Sequence, residues 1–261
     1  VKIKFYKYQG AGNDFILVDN RKNAVNHHNP ALIARLCDRR FGIGGDGMMF
    51  LQDIKGYDFE MVYYNADGQP SSMCGNGGRC IVAFAKYLAI IDTETDFLAV
   101  DGPHHAKISG SGDWVSLQMI DVNEIGRDGD AYVLNTGSPH YIKMVEGLAD
   151  KDVYHDGGAI RNNDTYKAKG INVNFVEPLN GGYFVRTFER GVEDETYACG
   201  TGVTAVALAM AKHNHQTGKL NTPIKVLGGD LSIRFETDGK NFSHIFLEGP
   251  AVQVFDGEIE I

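Results

Sequence analysis

The sequence predicts an α+β fold of two pseudo-symmetric halves, each a curved mixed or antiparallel sheet wrapped around a central helix. Three observations carry that prediction. The stretch Ser72-Met73-Cys74-Gly75-Asn76-Gly77-Gly78-Arg79 recurs as Tyr197-Ala198-Cys199-Gly200-Thr201-Gly202-Val203-Thr204, each time a cysteine, a Gly-x-Gly turn and an apolar run of helical period. Cys199 follows Cys74 by 125 residues (199 − 74), and the same shift carries Gly12 to Gly137, Phe59 to Phe184 and Ile81 to Val206. Around these landmarks lie short alternating segments separated by Gly- and Asp-rich turns, the pattern of strands.

Taken in order, residues 3–8 and 15–18 read as strands interrupted by the turn-rich Gly10-Ala11-Gly12-Asn13-Asp14. Pro30 to Arg40 reads as a helix, with Asn29 at its N-cap and proline at the first helical position. Gly42-Ile43-Gly44-Gly45-Asp46-Gly47 matches G-x-G-x-x-G, but it follows a helix and precedes a strand. That is the reverse of the order a dinucleotide site requires. Residues 59–64 alternate like a strand, Asn65-Ala66-Asp67-Gly68 turns, and the first cysteine helix runs to about Leu88. Strands over 97–101, 105–109 and 114–119 complete a first half placed at 1–120. A second half at 121–250 repeats the plan after the Gly- and Asp-rich Asp121 to Asp130, and 251–261 reads as a terminal strand packing back on the first half.

Composition narrows the function. With 261 residues, 43% hydrophobic, the chain can bury real cores. No apolar run approaches the roughly 20 residues that span a bilayer, and the start lacks a signal peptide's apolar region and cleavage site, so a cytoplasmic, non-membrane protein is expected. A net charge of −9 without clustered Lys and Arg argues against nucleic acid. A small-molecule partner is expected instead. Cys37, Cys74, Cys80 and Cys199 read as thiols rather than a disulfide framework, and Cys74-x5-Cys80 is not a usual zinc spacing, so no metal is expected.

A cysteine at a helix start sits beside backbone N–H groups without helical acceptors and at the positive end of the dipole, which favours thiolate over thiol. The glycines after it let a carboxylate approach the same N–H groups. Two such starts suit stereoinversion: one thiolate removes an α-proton and the other thiol delivers a proton to the opposite face, the two titrating as a coupled pair. Pseudo-symmetric halves commonly place such a site where they meet. A single buried cysteine is more often packing than chemistry, and that is the reading for Cys37 and Cys80. For Cys74 and Cys199 the shared glycines, helices and offset favour chemistry, with a Cys74–Cys199 disulfide as an inactivated form.

At these motifs the chain resembles the diaminopimelate epimerase family over nearly its whole length. The matching stretches are Gly10-Ala11-Gly12-Asn13-Asp14-Phe15, Asn65-Ala66-Asp67-Gly68, Met73-Cys74-Gly75-Asn76-Gly77, Gly137-Ser138-Pro139-His140, Glu189-Arg190-Gly191 and Ala198-Cys199-Gly200-Thr201-Gly202. The resemblance implies interconversion of LL- and meso-diaminopimelate, on the route to lysine and the cell wall, without metal or pyridoxal phosphate. It implies Cys74 and Cys199 as the acid/base pair, with His140 and Glu189 as polar partners that help set thiol protonation. Gly75, Asn76, Gly200 and Thr201 would bind the reacting end through backbone donors, Asn13, Asn65, Asn172 and Arg190 would hold the distal amino acid, and Glu189 would also contact the substrate. It also implies a homodimer.

Bland readings stand beside these. His140 after a proline also reads as a solvated loop histidine, Arg190 as one half of a surface ion pair, and each asparagine as a turn residue. Gly47 stands where some members of the family carry glutamine, Ser138 replaces the asparagine expected before Pro-His, and Glu193-Asp194-Glu195-Thr196 is one residue longer than the usual pattern. A proline or hydroxyproline racemase shares the paired-cysteine logic, and a non-catalytic redox or metal-binding protein is the alternative of another class.

Overall fold

A computed structural model of the chain describes residues 1–71 and 73–261; Ser72, which opens the first cysteine motif, lies outside them. The elements begin with β1 (Lys2–Gly10), β2 (Asn13–Asp19), α1 (Pro30–Cys37), β3 (Gly47–Gln52), β4 (Phe59–Asn65), α2 (Gly75–Tyr87), β5 (Glu94–Ala99), β6 (Gly102–Ile108) and β7 (Trp114–Gln118). They continue with β8 (Gly126–Asp128), β9 (Ala131–Asn135), β10 (Pro139–Met144), α3 (Val153–Arg161), β11 (Asn172–Leu179), β12 (Gly182–Glu189) and β13 (Asp194–Thr196). The last are α4 (Gly200–His213), β14 (Gly218–Val226), β15 (Gly229–Thr237), β16 (Phe242–Pro250) and β17 (Val252–Glu260). These divide into two compact units, residues 1–117 with 249–261, and residues 118–248.

In the first unit β2 and β3 run parallel, Phe15 opposite Gly47, and β1 pairs antiparallel with both β2 and β17. Phe15 to Val18 and Met48 to Leu51 are all at most 2% exposed, so this pair is covered on both faces. That is why its sequence is a continuous apolar run rather than an alternation. Side chains alternate along a strand. Ile16, Val18, Met48 and Phe50 pack with Ile33 and Leu36 of α1, whereas Met49 ends against Gly77 of α2. Helix α2 is buried from Gly75 to Ala85 and packs against β1, β2, β3, β6 and β17. A helix buried all round needs small and apolar residues nearly all round, and residues 75–85 supply them except at the buried polar Asn76 and Arg79.

The second unit is built by the same rules. Strands β10 and β11 run parallel with His140 opposite Asn172, which is the Phe15–Gly47 pairing moved by 125 residues. Helix α4 is buried over nearly its whole length and packs against β9, β10, β11, β12, β14 and β15. Helix α3 covers β11 and β12, with Val153, Val173, Phe175 and Phe188 in one apolar cluster. Each fully buried side chain of this size contributes about 1.5–3 kcal/mol.

Helix α1 ends at Cys37, short of the predicted Arg40, because Asp38 leaves helical geometry at ψ 127°. Its carboxylate then accepts from the backbone N–H groups of Arg40 and Phe41, both at 2.7 Å, and forms a turn in place of a further helical turn. Gly47 also finds its reason here. A Cβ at this position would stand 2.5 Å from both Tyr63 Cε2 and Tyr64 O, so any side chain at 47 competes with the Tyr63 ring for one volume. Gly47→Ala is expected to cost about 1–3 kcal/mol, read as a lower urea midpoint at unchanged m; an unchanged midpoint contradicts the packing.

Candidate active site

Both motif cysteines occupy the N-cap of a buried helix in nearly the same backbone conformation, φ −112° and ψ 123° at Cys74 and φ −117° and ψ 108° at Cys199. Neither side chain makes the usual cap hydrogen bond, so neither sulfur is tied to its own helix in that way. The first backbone N–H groups of α2 and α4, from Gly75 and Gly200 onward, have no acceptor within the helix. An anion placed there gains about 0.3–1 kcal/mol from the helix terminus, and up to about 2 where partly buried.

In the first unit Cys74 belongs to a directed polar network. Its thiol donates to Asn13 Oδ1 at 3.7 Å, and Asn76 Nδ2 donates to the same oxygen at 3.3 Å. Asn13 turns its nitrogen to Asp46, whose other oxygen is held by Arg39 at 2.8 Å. Arg39 also binds both oxygens of Asp14, at 2.9 and 2.6 Å, and Lys7 reaches Asp14 at 2.7 Å. Burial would raise the Asp14 carboxyl, but Arg39 and Lys7 outweigh it and hold that group well below the usual carboxylate range. Gly75 and Asn76 form the first turn of α2, as the sequence requires. Asn65 makes none of these bonds; it is exposed at the end of β4 opposite Gly47, with its backbone N–H on Gln69 O at 2.9 Å and the next backbone N–H, of Ala66, on Asp46 O at 3.1 Å.

Arg79, the last residue of the first cysteine motif, has its side chain completely buried one turn along α2. It donates to Asn76 Oδ1 at 3.0 Å, Gly75 O at 3.3 Å and Pro250 O at 3.4 Å. Burial pulls the guanidinium down to about 10, against the pull of neighbouring Cys80 and Cys74. Its bond to Asn76 Oδ1 orients that amide so that Nδ2 faces Asn13. The two remaining cysteines are packing residues: burial pushes both the Cys37 and Cys80 thiols up to about 12.

In the second unit Cys199 is 7% exposed and lies 3.6 Å from Thr201 Oγ1. Thr201 Oγ1 in turn lies 2.9 Å from His140 Nε2. His140 is on β10 with no exposed surface, so the reading as a solvated loop histidine is corrected. Strand pairing to Leu134 and Asn172 on its two sides places it inside the sheet, beneath the start of α4. Burial, with the charge of Arg190 adding, pushes the imidazole down to about 3, so it is neutral at physiological pH. Gly202 makes the approach possible, because a Cβ there would collide with Asn174 Oδ1 and stand 3.3 Å from Cys199 Sγ.

A separate cluster gathers Asn172, Ser138 and Arg190. Asn172 Nδ2 donates to Ser138 Oγ at 3.0 Å and to Pro139 O at 3.1 Å, and its Oδ1 accepts from the Arg190 backbone N–H at 2.9 Å. The exposed Arg190 guanidinium reaches Ser138 Oγ at 3.4 Å and Lys169 O at 3.2 Å, with no carboxylate among these partners. Ser138 therefore holds both residues despite being shorter than the expected asparagine. Glu189 is half-buried at the end of β12 and accepts from Thr196 Oγ1 at 3.0 Å.

Sequence reasoning missed Arg79, Asp46 and Asn174. Asn174 carried a signal, since Asn172-Val173-Asn174 puts both amides on one face of a strand at period two. Among the described residues no group of His, Cys, Asp and Glu is arranged to hold a metal ion, and no helix is long and apolar enough to cross a membrane.

The family model described as diaminopimelate epimerase matches residues 5–123 and 132–254. A diaminopimelate epimerase of Flavobacterium psychrophilum is 51% identical over 258 residues, covering 98% of this chain and all of the relative. One from Chlorobaculum tepidum is 42% identical, covering 97% and 99%. Among solved structures, a phenazine biosynthesis protein of the PhzF family from Bacillus anthracis superposes with a TM-score of 0.80 at 13% identity, over the full length of both chains. At that identity the likeness establishes the fold alone.

Proposed function

The chain belongs to the diaminopimelate epimerase family, and we propose that its two helix-capping thiols, Cys74 and Cys199, carry out diaminopimelate epimerisation by a two-base mechanism without a cofactor. The observation that carries the proposal is the matched backbone geometry of the two N-caps, each a cysteine whose side chain makes no cap hydrogen bond. The α-carboxylate of the reacting end accepts hydrogen bonds from the backbone N–H groups at Gly75, Asn76, Gly200 and Thr201. These donors stabilise charge that grows as the α-proton leaves.

One thiolate takes the α-proton, and the electron pair of the C–H bond stays on the α-carbon, delocalised into the carboxylate. The other thiol then gives its proton to the opposite face. At the end the two sulfurs have exchanged protonation states and the carbon has inverted, so a single turnover needs no outside acid or base. His140 and Glu189 assist by setting the protonation of the thiols.

Asn13, Asn65, Asn172 and Arg190 hold the distal amino acid in this reading, and Glu189 also touches the substrate. The guanidinium is the natural bidentate partner for a carboxylate, and its exposure and purely neutral partners support that role. Arg190→Ala is expected to raise KM for diaminopimelate about tenfold or more, the size of one charge-assisted hydrogen bond, with little change in melting temperature. An unchanged KM removes Arg190 from the site. Assay of proline beside diaminopimelate separates the racemase alternative, since proline has no second charged end. Family membership also supports a cytoplasmic location and a homodimer, the second checked by sedimentation velocity.

A further inference from the structure

We infer that Asn174 is a positioning residue which, through His140 and Thr201, presents a hydroxyl donor to the Cys199 sulfur and so favours its thiolate form. The inference deepens the two-thiol reading and rests on it for its meaning in catalysis.

The direction of the bonds from Asn174 to His140 and from His140 to Thr201 is fixed by their far end. Asn174 Nδ2 lies 3.1 Å from Tyr141 O, a carbonyl that can only accept, and Asn174 Oδ1 accepts from Thr187 Oγ1 at 3.0 Å. The amide cannot be reversed without setting two oxygens against each other. Its second Nδ2 hydrogen therefore points at His140 Nδ1, 3.1 Å away, which must be the unprotonated ring nitrogen. A neutral imidazole with Nδ1 accepting carries its proton on Nε2. Nε2–H then donates to Thr201 Oγ1 at 2.9 Å, which leaves the Thr201 hydroxyl hydrogen available to a thiolate at Cys199 Sγ, 3.6 Å away, since a thiolate can only accept.

A donor aimed at a sulfur stabilises its anion. Asn174 and His140 have no exposed surface and Thr187 has 3%, so water does not compete at the Asn174 end of the chain, while Thr201 at the other end is half-buried. The charged groups nearby on the end of β12 are Arg190, whose field reaches His140, and Glu189, which accepts from Thr196. The first unit cannot repeat the device. The residues 125 positions before His140 and Asn174 are Phe15 and Met49, which carry no donor, so the repeat has been specialised in one half.

The test reads Cys199 alone, in a Cys74→Ala background that removes coupled titration. Iodoacetamide alkylation of the Cys199 peptide is followed by mass spectrometry across pH. Thr201→Val and Asn174→Leu are each expected to raise the alkylation midpoint by about one unit, the roughly tenfold change in thiolate ratio that a lost hydrogen bond to a charge produces. Thr201→Ser keeps the starting midpoint. An unmoved midpoint in a folded Thr201→Val or Asn174→Leu protein overturns the inference. A measurement that needs neither variant is the ¹⁵N imidazole spectrum of the wild-type chain, with His140 assigned by its loss in His140→Gln. An Nε2–H tautomer is expected at neutral pH, and an Nδ1–H or charged ring overturns the inference. Turnover enters neither readout, so an absence of diaminopimelate epimerisation counts against the proposed function and leaves the relay standing.

Discussion

Replacing Cys74 or Cys199 by alanine is expected to lower the epimerisation rate by at least about a thousandfold, within the range that positioned general acid/base groups supply. Either change should do so alone, because a turnover needs a base on one face and an acid on the other. The half-reactions separate the roles. With one thiol gone, the remaining thiolate can still remove and return a proton on its own face, so solvent deuterium can enter one isomer of the substrate without inversion. Stability should change little, since each lost atom is a single sulfur at a helix start. Full inversion by either variant, measured by chiral chromatography, would sink the two-base reading.

Acid is expected to destabilise the fold through His140. The ordinary imidazole value is 6.5, and burial with Arg190 nearby pushes this one down to about 3. Between those limits the unfolded chain binds a proton that the folded chain refuses, so stability falls as pH falls. The slope is about 1.4 kcal/mol per pH unit, or about 2 kcal/mol between pH 7.5 and pH 5. His140→Gln keeps an amide at the site and lacks the titration. The difference in urea stability between wild type and His140→Gln should therefore shrink by that amount on going to pH 5. A difference that stays constant with pH would show that His140 does not titrate as its burial requires.

Much of this molecule was legible in the chain. The 125-residue shift that joins Cys74 to Cys199 also relates the Phe15–Gly47 pairing to His140–Asn172, so the repeat in the sequence is a repeat in the β-ladder. The two helix starts were legible for a local reason: a cap, glycines and an apolar period are properties of neighbouring residues. The end of α1 was read too late, because Asp38 competes for backbone N–H groups through its own side chain, and that choice leaves no trace in hydrophobic period.

The sequence by itself determined the α+β class, the paired cysteines and, through the motifs, the family. Only the tertiary structure decided how each sulfur is addressed: that the thiol of Cys74 meets an amide oxygen whose orientation traces back to a buried Arg79, and that Cys199 stands at the end of the chain from Asn174. The physical reason is that hydrogen-bond direction in a buried network is set by the farthest obligate acceptor or donor. Tyr141 O fixes Asn174, and the guanidinium of Arg79 fixes Asn76. Such partners come from adjoining strands and from the next turn of a helix, and their identity as partners exists only once the chain has folded around them.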